Sequence, residues 1–182
     1  MKRIFLGIDL NNDLKSKIED LKKKSGFLNL PIKLVEQKNS HIALKFLDQL
    51  SDEQIDELIN TISEELNIFK SFEVKIDNCF VFPNLDNAKV LALKVLSPNL
   101  SGLAMKLFNR FQDFKFIKPE DRPYTPHITL GRFKNGLTDL EKEKVLNIQF
   151  KNDFKVDSIQ LFESQLTNNG PIYSIIRDFN LK

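Results

Sequence analysis

The sequence predicts an α+β protein of two similar lobes, in which antiparallel sheets face one another across a central groove and helices pack outside. The first observation is that the order strand–helix–strand–helix–strand recurs in both halves of the chain. The second is that residues 41–47 (HIALKFL) and 127–133 (HITLGRF) are near copies of each other. The third is that a helix start follows each copy at a similar distance, at Ser51 and at Thr138.

The first element is a strand that leads into a helix. Residues 2–10 (KRIFLGIDL) are rich in β-forming residues and stop at the polar run 11–13, which is typical of a strand followed by a helix N-terminus. Apolar residues then recur at helical spacing up to the lysines before Gly26: Leu14, Ile18 and Leu21. This pattern predicts an amphipathic helix.

The first copy of the repeated motif, 41–47, predicts the next strand. Ser51 and Gln54 then form a capping box ahead of a helix with one apolar face. Residues 72–80 predict a further strand, and the polar loop 83–87 is the expected crossover to the second half.

The second half repeats this order. Residues 88–96 predict a strand and 100–111 an amphipathic helix, followed by the second motif copy. Thr138 and Glu141 form another capping box, which opens a short helix. Two further strands close the chain: 154–162 and 171–181. Because no Pro-, Gly- or Ser-rich linker separates the halves, we expect one bilobal domain over 1–182 with half-repeats of about 1–82 and 88–182.

The composition is that of an ordinary globular protein. The chain has 182 residues, of which 41% are hydrophobic and 29% charged, with a net charge of +2. The charge is compatible with a phosphate-bearing ligand without demanding one. The single cysteine, Cys79, excludes an intrachain disulfide, and no apolar stretch approaches membrane-spanning length. The expected location is cytoplasmic.

The two histidines of the chain each open one copy of the repeated motif. Since side chains alternate along a strand, His41, Ala43 and Lys45 are expected on one face of the first copy. His127 and Thr129 share the corresponding face of the second. The intervening residues are expected to face the core: Ile42, Leu44 and Phe46 in the first copy, Ile128 and Leu130 in the second.

Two imidazoles that face each other suit acid–base catalysis at phosphorus. The pKa of histidine is near 6.5, so one ring can accept a proton while the other donates one. A metal site is the competing interpretation of paired histidines. The chain has no third histidine and neither motif contains Asp or Glu, whereas zinc generally takes three or four protein ligands.

The motifs resemble those of the two-histidine (2H) phosphoesterases, and most closely the RNA 2′,3′-cyclic phosphodiesterase or 2′-5′ RNA ligase-like family. The stretches that carry the resemblance are NSHIALKFL (39–47), FVFPNLDNAKVLAL (80–93), DRPYTPHITLGRF (121–133) and SIQLFESQLTNNGPIYSII (158–176). The order and spacing agree nearly from end to end, and the second motif with its flanks is the most specific part.

The resemblance implies hydrolysis of 2′,3′-cyclic phosphate ends to 2′-phosphomonoesters, with no metal and no cofactor. It implies that His41 is the acid that protonates the 3′ oxygen and that His127 is the base that activates water. The substrates would be RNA ends or nucleotides, with no membrane and no obligate protein partner. The expected substrate contacts are Thr129, Ala43, Lys45, Arg132, Arg122 and Tyr124.

The sequence departs from the family pattern at the first motif. Ala43 stands where the family has threonine, and Leu34 where it commonly has tryptophan. Losing one donor to a developing oxyanion typically costs about 10²–10³-fold in turnover, which Lys45 or an ordered water could partly offset. Strict alternation turns Arg132 toward the core, so it needs a bulge or a strand end to reach phosphate.

Three alternatives stay open at this point. A non-catalytic module could bind nucleotide or RNA phosphate ends, which the missing hydroxyl at Ala43 favours. Related enzymes could act on ADP-ribose cyclic phosphate or on 2′,5′-linked oligonucleotides, with the same chemistry and another substrate.

Overall fold

The computed structural model of this chain describes residues 1–119, 123–168 and 170–182. Within them a single curled sheet contains nine strands. The strands are β1 Lys2–Asp9, β2 Ile32–Leu34, β3 His41–Leu50, β4 Phe72–Phe82, β5 Val90–Leu96, β6 His127–Phe133, β7 Asn152–Val156, β8 Ser158–Thr167 and β9 Gly170–Asn180. All the strand pairs in the described chain are antiparallel.

The α-helices in the described chain are α1 Asn12–Lys24, α2 Asp52–Leu66, α3 Pro98–Phe111 and α4 Asp139–Leu146. Each begins after a side chain that accepts a hydrogen bond from a backbone N–H of the first turn: Asn11, Ser51, Ser97 and Thr138. Both predicted capping boxes are confirmed, with Gln54 and Glu141 as the returning side chains. No helix among the described residues is long and apolar enough to cross a membrane.

Two groups of four strands meet at the centre of the sheet, and each group contains strands from both halves of the chain. The strand order is β7-β4-β5-β6-β3-β1-β8-β9, and β2 pairs with β6 alongside this path. The central strands β3 and β6 meet at one pair, Ile42 opposite Ile128. The predicted α+β architecture is confirmed, and the two facing sheets are halves of one continuous curled sheet.

The hydrophobic core lies between one face of the sheet and the helices. Ile42 and Ile128 are fully buried in it, together with Leu58 of α2 and Leu103 of α3. Because this face is covered, the side chains one position away along each central strand project from the opposite face, where the groove lies.

Two strand predictions needed correction. The expected strand 154–162 is two strands, β7 and β8, which are separated by Asp157. They lie near opposite edges of the sheet. The alternation of the sequence is continuous there, but the strand is divided because its two parts pair with different strands. β7 pairs with β4, and β8 pairs with β1. The short strand β2 was not predicted, because three residues are too few to show a period.

Each motif strand carries an extra residue at the fourth position of the motif. The strand pairing of β3 passes from Ala43 to Lys45 and omits Leu44, while that of β6 passes from Thr129 to Gly131 and omits Leu130. A bulge of this kind shifts the alternation of side chains, so the fourth and fifth residues of each motif both lie on the core side. The fifth residue after each histidine then faces the groove.

The bulge corrects the expected faces of two residues. Lys45 is only 5% exposed and lies on the core side, whereas Phe46, expected in the core, is 62% exposed. The bulge in β6 also contains Gly131, where an added Cβ would stand 2.7 Å from a side-chain carbon of Ile32 and 2.9 Å from the Lys33 carbonyl oxygen. Glycine therefore permits β2 to approach this strand closely.

Candidate active site

The single β3–β6 pair brings the two histidines together. With Ile42 opposite Ile128, antiparallel register places His41 opposite Thr129 and His127 opposite Ala43. All four of these groove-facing residues line one recess of about 290 Å³. The site therefore combines two imidazoles, one hydroxyl and one methyl group in a diagonal arrangement.

A backbone hydrogen bond orients each imidazole. His41 Nδ1 lies 2.7 Å from the carbonyl oxygen of Asn39, and His127 Nδ1 lies 2.8 Å from that of Thr125. Since a carbonyl oxygen only accepts, Nδ1 of each ring is the donor, and Nε2 is left to exchange a proton with a ligand. Asn39 is held in turn by a 3.0 Å hydrogen bond from its amide to the Pro171 carbonyl.

Aromatic rings pack around both imidazoles. The ring of His41 lies 5.0 Å from Phe5 and 5.2 Å from Tyr173, measured between centroids. His127 lies 4.9 Å from Phe82, with the rings edge to face. These contacts restrict ring rotation and remove water from the buried side of each histidine.

Burial lowers the pKa of both histidines below the ordinary value of 6.5, because it disfavours the charged imidazolium. The surrounding charges differ between the two rings. The Asp9 carboxylate raises the pKa of His41, against smaller lowering effects of His127 and Lys15. The Arg132 guanidinium lowers the pKa of His127. Asp9 pairs with His41 across β1 and β3, and its carboxylate forms a 2.7 Å ion pair with Lys15.

Several of the predicted contacts lie in the groove. Ala43, Thr129 and Arg132 line the recess together with the histidines. Arg132 reaches it through the bulge in β6, which is one of the two expected routes. Leu34 lines the same recess.

Two other predicted contacts lie elsewhere, and a third is not among the described residues. Lys45 is turned to the core side by the bulge, with its ammonium 5.3 Å from the ring of Phe108. The Tyr124 hydroxyl donates a 3.1 Å hydrogen bond to the Ala43 carbonyl, and the residue does not line the recess. This hydrogen bond supports the backbone of β3. Arg122 falls outside the described residues.

Sequence reasoning missed several residues of the groove, and two of them differ in the signal that the sequence offered. Phe46 and Lys33 both line the recess, and Lys33 pairs with Arg132 across β2 and β6. Phe46 had a usable signal, because it occupies the same place after His41 that Arg132 occupies after His127. Lys33 had none of its own, since β2 has no periodicity.

Neither a thiol nor a metal cluster adds to the site in the described part of the chain. Burial raises the pKa of the Cys79 thiol to about 12, which keeps it protonated near neutral pH. No three His, Cys, Asp or Glu side chains gather there as a metal-binding group. A metal-free reaction stays a prediction.

A duplicated α+β sheet with one oriented histidine from each half defines a two-histidine phosphoesterase. The chain belongs to the 2′-5′ RNA ligase superfamily, whose sequence model matches residues 13–168. A relative from Methanocaldococcus jannaschii is 32% identical over 97% of this chain and 99% of its own. One from Methanothermobacter thermautotrophicus is 30% identical over 98% of both. Both relatives are named RNA 2′,3′-cyclic phosphodiesterase.

Solved structures share the fold at lower identity. A Thermus thermophilus protein superposes with a TM-score of 0.84 at 21% identity, covering 98% of this chain and 97% of its own. Escherichia coli LigT in its apo form gives 0.80 at 21% identity, over 100% and 98%. The antiparallel two-lobed architecture is therefore that of known family members.

The two pKa values are directly measurable, because the chain contains only two histidines. We predict that NMR titration of the ring protons gives a pKa below 6.5 for both. Asp9→Asn should lower the pKa of His41 further, since it removes a favourable negative charge, and Arg132→Gln should raise that of His127. Each variant serves as the control for the other ring. A wild-type pKa above 6.5 for either ring would contradict the described burial.

Proposed function

We propose that this protein hydrolyses the 2′,3′-cyclic phosphate ends of RNA to 2′-phosphomonoesters, with His41 and His127 as an acid–base pair. The observation that carries the proposal is that both rings donate from Nδ1 to the backbone and keep Nε2 for the ligand. The near full-length similarity to relatives named for this activity supports it.

The proposed reaction is an in-line displacement. Nε2 of His127 accepts a proton from a water molecule as the water oxygen attacks phosphorus, opposite the 3′ oxygen. The P–O3′ bond breaks, and His41 gives the proton on its Nε2 to the departing oxygen. The product has a phosphate on O2′ and a free 3′ hydroxyl, and the next turnover begins once the two rings exchange protons with solvent.

The fixed charges support this division of roles. The general acid must carry a proton at the start of the reaction, and the nearby Asp9 carboxylate favours the charged form of His41. The general base must be neutral, and Arg132 favours the neutral form of His127. A bound phosphate is negative and favours protonation of both rings, which raises their pKa values in the complex. The pH profile of kcat is therefore shifted to higher pH than the profile of kcat/KM.

The groups proposed to hold the phosphate are unequal on the two sides. The Thr129 hydroxyl stands beside His41 and can donate to a non-bridging oxygen. Ala43, at the equivalent place beside His127, offers no donor. Because Lys45 lies on the other face of the sheet, it does not replace the missing hydroxyl, and the remaining candidates are the Arg132 guanidinium and an ordered water.

The alternative function is a non-catalytic module that binds RNA or nucleotide phosphate ends, and Ala43 is the observation that favours it. We further propose that residues 1–182 act as one bilobal unit with half-repeats of about 1–82 and 88–182. An RNA end or a nucleotide is the proposed partner and the cytoplasm the proposed location; neither metal nor cofactor enters the proposed reaction.

Turnover separates the enzyme from the binding module. We expect the pure protein to open a nucleoside 2′,3′-cyclic phosphate to the 2′-phosphate in the presence of a chelator. His41→Ala and His127→Ala should each lower kcat by about 10²–10⁴-fold, the usual contribution of a general acid or base. Circular dichroism confirms that each variant is folded. Binding without product by the folded wild-type protein would favour the module.

Restoring the missing hydroxyl tests the account of the phosphate contacts. We expect Ala43→Thr to raise kcat, by at most the roughly 10²–10³-fold that one such donor contributes. Ala43→Val has nearly the same shape without the hydroxyl and is the matched control, expected not to raise kcat. A fall in kcat for Ala43→Thr, with a folded protein, would show that this description of the site is wrong.

A further inference from the structure

We propose that Lys33 binds the phosphodiester that joins the terminal nucleotide to the rest of the RNA, so that the groove recognises an RNA end by its last two phosphates. This inference rests on the proposed function, because it uses the position of the 3′ oxygen beside His41. It assigns a substrate-selecting role to a residue outside the two histidine motifs.

The connectivity of ribose sets the direction of the RNA chain in the groove. O3′ is attached to the ring carbon next to the one that bears the 5′ arm, and O2′ to the carbon next to the one that bears the base. If O3′ lies at His41, the 5′ arm leaves the phosphate on the His41 side. The preceding phosphodiester therefore lies beyond His41 and Thr129, toward the start of β3 and the end of β6.

That end of the groove carries two cations. Arg132 follows Thr129 along β6 on the groove face, and Lys33 is its partner on β2. Both side chains are exposed, and neither forms an ion pair with a residue in the described part of the chain. Glu36 also lines the recess, but its carboxylate pairs with Lys38 at 2.9 Å. The net positive charge favours a second anionic group there.

The opposite end of the groove is different in chemistry. Phe46 presents an exposed aromatic ring there, and no cation lines the recess beside it among the described residues. Lys94 of β5 is the cross-strand neighbour of His127 on β6. Its ammonium lies 5.9 Å from the centroid of the Phe80 ring. It stands on the side from which water attacks, away from the proposed path of the 5′ arm.

The backbone that presents Lys33 is held in place. The Lys22 ammonium, almost fully buried, donates a 2.6 Å hydrogen bond to the Val35 carbonyl. The N–H of Val35 donates to the Leu130 carbonyl at 2.9 Å, in the bulge of the second motif. The backbone that carries Lys33 is thereby held relative to His127 and Thr129, so it need not be ordered when a phosphate binds.

Three substrates distinguish contacts to the cyclic phosphate from contacts to the phosphate on the 5′ side. They are a nucleoside 2′,3′-cyclic phosphate, the same compound with a 5′-phosphate, and a dinucleotide ending in a cyclic phosphate. We expect Lys33→Ala to lower kcat/KM about ten-fold for the second and third substrates, as loss of one charged contact does. The first substrate should change less than two-fold. The salt dependence for the dinucleotide should weaken by about 0.7 in log–log slope, corresponding to one phosphate contact.

Lys94→Ala is the matched control, because it removes an equal charge beside the other histidine; it should lower kcat/KM equally for all three substrates or not at all. An equal loss on all three substrates with Lys33→Ala would overturn the inference, as would no loss on any. A selective loss with Lys94→Ala would place the RNA on the other side. If the wild-type protein opens none of the substrates, the proposed function itself fails.

Discussion

Strands β3 and β6 meet at one residue pair, Ile42 opposite Ile128, and the position of every group in the groove depends on it. Both isoleucines are fully buried against the helices, so the residues on either side of them must face the groove. The antiparallel register then sets each histidine opposite the third residue of the other motif. A slip of one residue would turn both imidazoles toward the core.

The pairing makes the two halves of the site equivalent in backbone and unequal in chemistry. The third residue of the motif is Thr129 in one strand and Ala43 in the other, and the fifth residue after the histidine is Arg132 in one strand and Phe46 in the other. Hydrolysis of a cyclic phosphate needs an acid and a base, which are opposite roles. A duplicated fold supplies two identical rings, and their neighbours differ in charge: the Asp9 carboxylate raises the pKa of His41, and the Arg132 guanidinium lowers that of His127.

Local patterns in the sequence predicted the elements and the centre of the site. Period-two alternation correctly placed His41, Ala43, His127 and Thr129 on one face, and cap residues marked two helix starts. The same alternation failed two residues further along β3, because an extra residue at Leu44 reversed Lys45 and Phe46. A bulge depends on how neighbouring strands pair, and one strand's sequence contains no such information.

The remaining errors have a similar cause. The break between β7 and β8 arises because these strands pair with partners on opposite sides of the sheet, although the alternation runs through both. Lys33 gains its place only by pairing with Arg132, 99 positions away in the chain. Such long-range pairings lie beyond what the spacing of neighbouring residues can indicate.

The most direct test of opposite histidine roles uses a 2′,3′-cyclic phosphate with sulfur in place of the 3′ oxygen. A thiolate is a good leaving group that needs no proton, so the general acid becomes dispensable. The measurement is kcat for His41→Ala and His127→Ala on the sulfur and oxygen substrates. We predict that the His41→Ala defect falls to within about ten-fold of wild type on the sulfur substrate, whereas the His127→Ala defect persists. Equal defects on both substrates, or rescue of His127→Ala instead, would contradict the account.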